Sequence, residues 1–390
     1  MNRLQNSFRL TRLDLSVLGI SALLAAVIGL VTVVGTADAV GLRVAFMKNG
    51  ENGITNLWVA DATNPDNAEQ VTDAEDGVYD YDVSPDGRYI AFAEQDFETG
   101  IAEIMRLDLN TRQVTPLTDC RAQDADCTTP VWRPDGRMIA YTWRDLNTSL
   151  QIGASPNRIW VLDFSTSPAS NYPLVEDTQV LGYDPKWSPD GTRLAFYDSA
   201  SGGILVYNFA ADQDAGENPF TFVPTSHGTV GTFSPDGTQL IFPELLLTGT
   251  PIVRAYLQVA DLETGLFQQL TAPSESTDDQ AAVWSPSGGM IAVTRRYVDN
   301  RMTRGHQIFL FSTADNSIEP LVYDERYNQG FALWSPNGDQ LLLQRFPVLT
   351  EDGQDNPNGT PEIWTFDVAT RALTLIMRDA YQPRWVPAQQ

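Results

Sequence analysis

Along most of the chain, short apolar runs alternate with polar positions at the period of two that marks one face of a β-strand. Leu194-Ala195-Phe196 is such a run, and it follows Lys186-Trp187 and the turn Ser188-Pro189-Asp190-Gly191. In that turn Pro sets φ, Asp offers its carboxylate to backbone N–H groups, and Gly takes the position that other residues tolerate badly. The same strand–turn–strand unit returns as Ser84-Pro85-Asp86-Gly87, Arg133-Pro134-Asp135-Gly136, Ser234-Pro235-Asp236-Gly237, Ser285-Pro286-Ser287-Gly288 and Ser335-Pro336-Asn337-Gly338. Trp385-Val386-Pro387 is a cut-off further copy, and the seven prolines lie 49, 55, 46, 51, 50 and 51 residues apart. A period near 50 with four strand-like runs per copy is one supersecondary unit repeated around a ring.

The strand pattern also predicts how the ring closes. Arg43–Met47, Asn56–Asp61 and Ala68–Asp73 read as second, third and fourth strands with no first strand before them. Six full copies follow, with first strands ending at Val83, Trp132, Trp187, Phe233, Trp284 and Trp334. Gln382–Trp385 is then a first strand without successors. Pairing this orphan with Arg43–Met47 completes a seventh unit and removes the free edges of an open sheet. The expected fold is all-β, a seven-bladed β-propeller over residues 40–390, with a six-bladed ring as the alternative.

Ahead of the repeats, Leu15 to Gly35 carries no charge. At 1.5 Å per residue such a run gives roughly 31 Å of helix, enough to cross a bilayer. Arg3, Arg9 and Arg12 precede it, which keeps a tail of residues 1–14 in the cytoplasm and puts the rest outside. Residues 15–36 are therefore expected to form a transmembrane helix. The competing reading is a signal peptide cleaved near Ala37-Asp38-Ala39, although the apolar run exceeds the usual signal length. Either reading places the propeller outside the cytoplasm, periplasmic or at the cell surface.

Charge narrows the partners. Fifty acids against 25 bases give a net −25, a surface that repels nucleic acid and excludes that partner class. Cys120 and Cys127, the two cysteines of the chain, flank a six-residue loop. In an oxidising compartment they are expected to form a disulfide, with two free buried thiols as the alternative.

The third strands carry a companion motif: Leu57-Trp58, Ile159-Trp160 and Ile363-Trp364, with Asp261-Leu262-Glu263-Thr264-Gly265 as one of the hairpin turns after them. Trp-Ser-Pro-Asp-Gly, an apolar strand, Ile-Trp and Asp-x-x-Thr together resemble the WD40-like (PD40) propeller repeat of TolB-type proteins over about residues 42–387. The resemblance implies a β-propeller fold over that stretch. TolB-type propellers have six blades and come after an α/β domain; this sequence counts seven and has an apolar segment there instead.

Candidate chemistry is sparse. Eight of nine tryptophans hold repeat positions, where large rings fill the wedge between blades; Trp143 is the other. His227 and His306 are too few for a multi-histidine metal centre, and no Cys/His zinc spacing occurs. Asp80, Asp82 and Asp184 sit on or before inner strands, where they can line the channel mouth or pair with Lys186 and Arg384. No Gly-x-Ser-x-Gly elbow is present, and the chain ends at ring closure, which leaves no room for a hydrolase domain. No cofactor is implied. The reading is a non-catalytic scaffold binding a protein, peptide or envelope polymer, with an extracellular hydrolase or lyase acting on carbohydrate or peptide as the alternative. Strand alternation puts the loops joining second to third strands, and one blade to the next, on one rim. Their variable lengths mark that rim for partners. Within it, Arg295, Arg296, Tyr297, Arg301, Arg304 and His306 concentrate cations suited to an anionic group, unless they pair with neighbouring acidic loops.

Overall fold

Seven four-stranded antiparallel sheets are arranged as blades, each with its strands in chain order from the inside outward, except at the seam. The structure, a computed structural model, describes residues 42–211, 215–247, 254–274 and 276–389. The expected anchor at 15–36 and the tail before it lie outside the described residues. Among the described residues no helix is long and apolar enough to cross a membrane.

Blade 1 comprises Val78–Val83, Tyr89–Asp96, Ile101–Asp108 and Val114–Pro116. The inner strands of blades 2 to 6 are Ala125–Trp132, Tyr183–Trp187, Thr232–Phe233, Thr277–Trp284 and Tyr327–Trp334. Each ends at the residue read from sequence. Blade 7 is closed by Ala380–Val386, which pairs with Arg43–Asn49, and Thr55–Asp61 and Glu69–Gln70 complete it. Arg43 lies opposite Val386, Val44 opposite Trp385 and Ala45 opposite Arg384. The outermost strand there has two residues where six were expected. Beyond it the Thr72 hydroxyl accepts from Leu57 N–H and donates to Asn56, which ends the ladder with a side chain.

The repeated turn is a small hydrogen-bonded unit. The Ser84 hydroxyl donates to Asp86 at 2.6 Å and accepts from Tyr89 N–H at 2.8 Å, while Gly87 N–H reaches Ser84 O at 2.9 Å. Ser188/Asp190 and Ser234/Asp236 repeat these contacts. Gly87 has φ of +64°, and a Cβ there would lie 2.0 Å from Pro387 O, because the segment after the closing strand packs on this turn.

The cores lie between blades. Ile90, Phe92 and Leu107 of blade 1 pack with Met47, Leu57 and Val59 of blade 7, all essentially inaccessible. The Cys120–Cys127 disulfide lies between the outer strand of blade 1 and the inner strand of blade 2, and both cysteines are fully buried.

Candidate functional site: the central cavity

The inner strands converge on a cavity of about 570 Å³, and all seven contribute to its wall. The local cause is strand alternation. The last residue of each inner strand, most often Trp, turns into the blade interface, so the residue before it faces the opposite way, into the channel. The residues just before Val83, Trp132, Trp187, Phe233, Trp284, Trp334 and, in blade 7, Trp385 form a ring: Asp82, Val131, Lys186, Thr232, Val283, Leu333 and Arg384, and every one lines the cavity. The tryptophans fix the backbone behind the ring. The Trp187, Trp334 and Trp385 indoles donate to the carbonyls of Val131, Val283 and Leu333 in the preceding blades, at 3.2, 3.1 and 3.3 Å.

A bulge in the inner strand helps to aim the ring. In six blades the inner strand carries one extra residue relative to its neighbour, which bends the strand. In three of them a non-glycine residue of positive φ precedes proline: Thr129, Asp184 and Gln382. Blade 4 has Gly231 instead, at φ +81°, where a Cβ would lie 1.9 Å from Ile241 O. Only glycine fits there.

The ring is two-sided. Arg384, Asp82 and Lys186 lie on one arc, while Thr232, Val283 and Leu333, with Phe331 beside them, make the other arc mostly apolar. Lys186 pairs with Asp184 at 2.8 Å. Arg384 Nε lies 4.0 Å from Asp82, beyond hydrogen-bond reach, and its guanidinium lies 5.3 Å from the Phe331 ring centroid. Asp82 accepts instead from Trp132 N–H at 2.8 Å. Burial pushes the Asp82 carboxyl above the usual range, against Arg384 and the Trp132 N–H, which pull it down. Asp80 is raised in the same way, by burial opposed chiefly by Arg384, and it also feels Lys186 and Asp184. Of the five charged residues expected at the channel mouth, Asp82, Asp184, Lys186 and Arg384 line the cavity, and Asp80 lies within electrostatic reach of Arg384, Lys186 and Asp184. The wall residues Val131, Thr232, Val283 and Leu333 were not singled out from sequence, although Pro130-Val131-Trp132, Pro185-Lys186-Trp187 and Pro383-Arg384-Trp385 share a spacing that marks the position.

The arginine-rich segment is arranged differently from a free cationic loop. Arg295, Arg296 and Tyr297 belong to the strand Met290–Tyr297, and the loop begins only after Tyr297. Arg295 is nearly inaccessible and binds Asp279 through two parallel bonds of 2.7 and 2.8 Å. Arg296 and His306 both reach Asp278, at 3.0 and 3.3 Å. Arg301 pairs with Asp299 and lies 3.9 Å from the Tyr297 ring centroid. Arg304 pairs with Asp355 of blade 6. Each guanidinium already has a carboxylate of this chain as its partner. Burial pushes Asp278 up, but hydrogen bonds from His306, Ala255 N–H and Gln280 outweigh it and hold the carboxyl at about 2.

Among known proteins, the TolB beta propeller domain family matches residues 32–302. No curated protein matches the sequence. Solved structures share the fold at low identity. TolB from Acinetobacter baumannii aligns with a TM-score of 0.50 and 17% identity, over 89% of this chain and 67% of that one. An oligogalacturonate lyase in complex with manganese gives 0.58 and 16%, over 83% and 86%. A prolyl endopeptidase gives 0.60 and 14%, over 87% of this chain and 50% of that one. These neighbours include both a TolB and two enzymes, so the shared fold does not settle activity.

Proposed function

The chain belongs to the TolB beta propeller domain family, and from that premise we propose that it is a membrane-anchored, extracytoplasmic module that binds a protein, peptide or envelope polymer without catalysis. The observation that carries this reading is the central cavity. It has the volume of a ligand site, apolar walls and a few convergent charged groups. The Cys120–Cys127 disulfide supports an oxidising compartment, and the apolar run within 15–36 supports the anchor.

A photo-crosslinking residue placed at Thr232 of the full chain tests the site directly. It should capture a discrete partner in the native envelope, while the same residue at Thr374 on an outer strand should not. Equal capture from both positions would refute the cavity as the binding site. One observation favours a second reading, a hydrolase or lyase: the raised Asp82 carboxyl stands in the cavity as a candidate proton donor. Turnover of an envelope carbohydrate or peptide that is lost in Asp82→Asn would establish that reading and remove the non-catalytic one.

A further inference from the structure

A second cavity, of about 700 Å³, opens on the rim of the Ser-Pro-Asp-Gly turns, where blade 1 meets blade 2. It lies away from the long loops and is built from different chemistry. Tyr89 comes just after the first turn and has two guanidiniums against its ring, Arg88 at 4.8 Å and Arg106 at 4.9 Å from the centroid. Arg88 is neutralised by Asp108 at 2.9 Å. Arg106 has neither an ion pair nor a hydrogen-bond partner for its guanidinium among the described residues. Most other arginines, such as Arg88, Arg133 and Arg193, have a carboxylate partner.

The acids of the cavity are partly engaged, Asp86 through one oxygen and Asp135 through both. Asp86 accepts from Ser84 and from Arg88 N–H, and both oxygens of Asp135 are held by Arg133. The far wall is aromatic: Phe164 stacks on Trp132 at 5.6 Å. Trp132 is 7% exposed, and its indole N–H is buried without an acceptor. Of the equivalent indoles, those of Trp187, Trp334 and Trp385 donate to a carbonyl of the preceding blade, whereas that of Trp284 is unpartnered like Trp132. A cation without a carboxylate of its own and the aromatic side chains of Tyr89 and Phe164 therefore share one cavity. A half-buried cation without an anion is costly.

We propose that this cavity binds a small planar organic carboxylate, its charge on Arg106 and its flat body against Tyr89 and Phe164. Guanidinium and carboxylate match in geometry and form charge-assisted hydrogen bonds. Stacking on Tyr89 and Phe164 selects a flat ligand over a bulky one.

Ligand-observed NMR titration of the full chain with benzoate tests the site, with benzyl alcohol as the uncharged analogue. Benzoate should bind saturably, and benzyl alcohol at least about tenfold more weakly, the loss expected for one charge-assisted bond. Arg106→Gln should weaken benzoate by a similar factor without changing the melting temperature, and Arg106→Lys should recover part of it. Phe164→Leu, which keeps the charge, should weaken benzoate and leave acetate unaffected. Equal affinity for benzoate and benzyl alcohol, unchanged affinity in Arg106→Gln, or no saturable binding of benzoate would each overturn the assignment.

Discussion

Replacing Tyr81 by Phe removes one oxygen from the place where the ring is sewn shut. Tyr81 belongs to blade 1 and is 1% exposed, yet its hydroxyl lies 2.8 Å from Ala45 O and 2.6 Å from Gln382 O, one carbonyl on each strand of the seam. Those strands slip register at this point, so the ladder does not serve both carbonyls itself. A hydroxyl has a single proton and shares it between them. Phe would leave both buried carbonyls without that donor, at a cost of about 1–3 kcal/mol. At about 2.1 cal/mol/K per residue, a propeller of about 350 residues unfolds with about 0.7 kcal/mol/K, so the melting temperature should fall by about 1–4 °C. Calorimetry gives the size of the effect, and amide exchange gives its place. Protection should drop across Ala380–Val386 and Arg43–Asn49 while the sheets opposite keep theirs. Deleting residues 380–390 is the stronger form of the same test. It removes the buried Trp385 and Val386 together with the pairing, and should lower the melting temperature by more than about 10 °C. Unchanged melting in both variants would refute closure as a source of stability.

Other consequences are measurable. Asp279→Asn should destabilise by about 3–5 kcal/mol, because Arg295 would remain buried without its anion. Blade 6 has Gln329 opposite the buried Arg345 at the equivalent pair, with neither amide atom bonded, so Gln329→Glu should raise the melting temperature; a fall would refute the comparison of the two blades. Asp278 is held at about 2, below its ordinary 3.8, so its stabilising contribution is complete above pH 4 and lost as pH falls towards 2. In Asp278→Asn the acid-side slope of stability against pH should flatten over that window. Arg301 and Arg304 are exposed and paired within the chain, so Arg301→Ala with Arg304→Ala should change melting by about a degree or less. A salt-dependent loss of partner capture in that double variant would show that the loop, rather than the cavity, makes the contact.

The ring is legible in the sequence because the turn repeats and the ends are orphaned. Ser-Pro-Asp-Gly fixes where each inner strand stops, and a strand count from that turn is enough to place the seam. The binding surface is legible only in part. Asp82, Lys186 and Arg384 attract attention as charges, but Val131, Thr232, Val283 and Leu333 hold the same position and look like ordinary strand residues. What unites them is their place one residue before the interface aromatic, a relation visible only when the copies are aligned on their tryptophans. The arginine segment is harder to judge for the opposite reason. Its density suggests a free cationic face, whereas the acids that neutralise it come from Asp278 and Asp279 one strand away and from Asp355 on the next blade. Thr72, Thr118 and Thr271 escape a strand count as well. Each comes after a short outer strand and accepts the N–H of Leu57, Ile104 or Leu257, and the recurring apolar-Thr pair is the signal that marks them.

The seam also imposes a schedule on synthesis. Arg43 finds its partner in Val386, about 340 residues later, and at about 5–20 residues per second a ribosome needs on the order of 20–70 s to cover that distance. Throughout that interval the strand Arg43–Asn49 presents an unpaired edge. Such edges recruit strands from other chains. The nascent protein therefore meets its greatest hazard of misassembly just before the closing strand Ala380–Val386 emerges. A factor that shields the first strand until then would raise the yield of closed rings without touching the stability of the finished one.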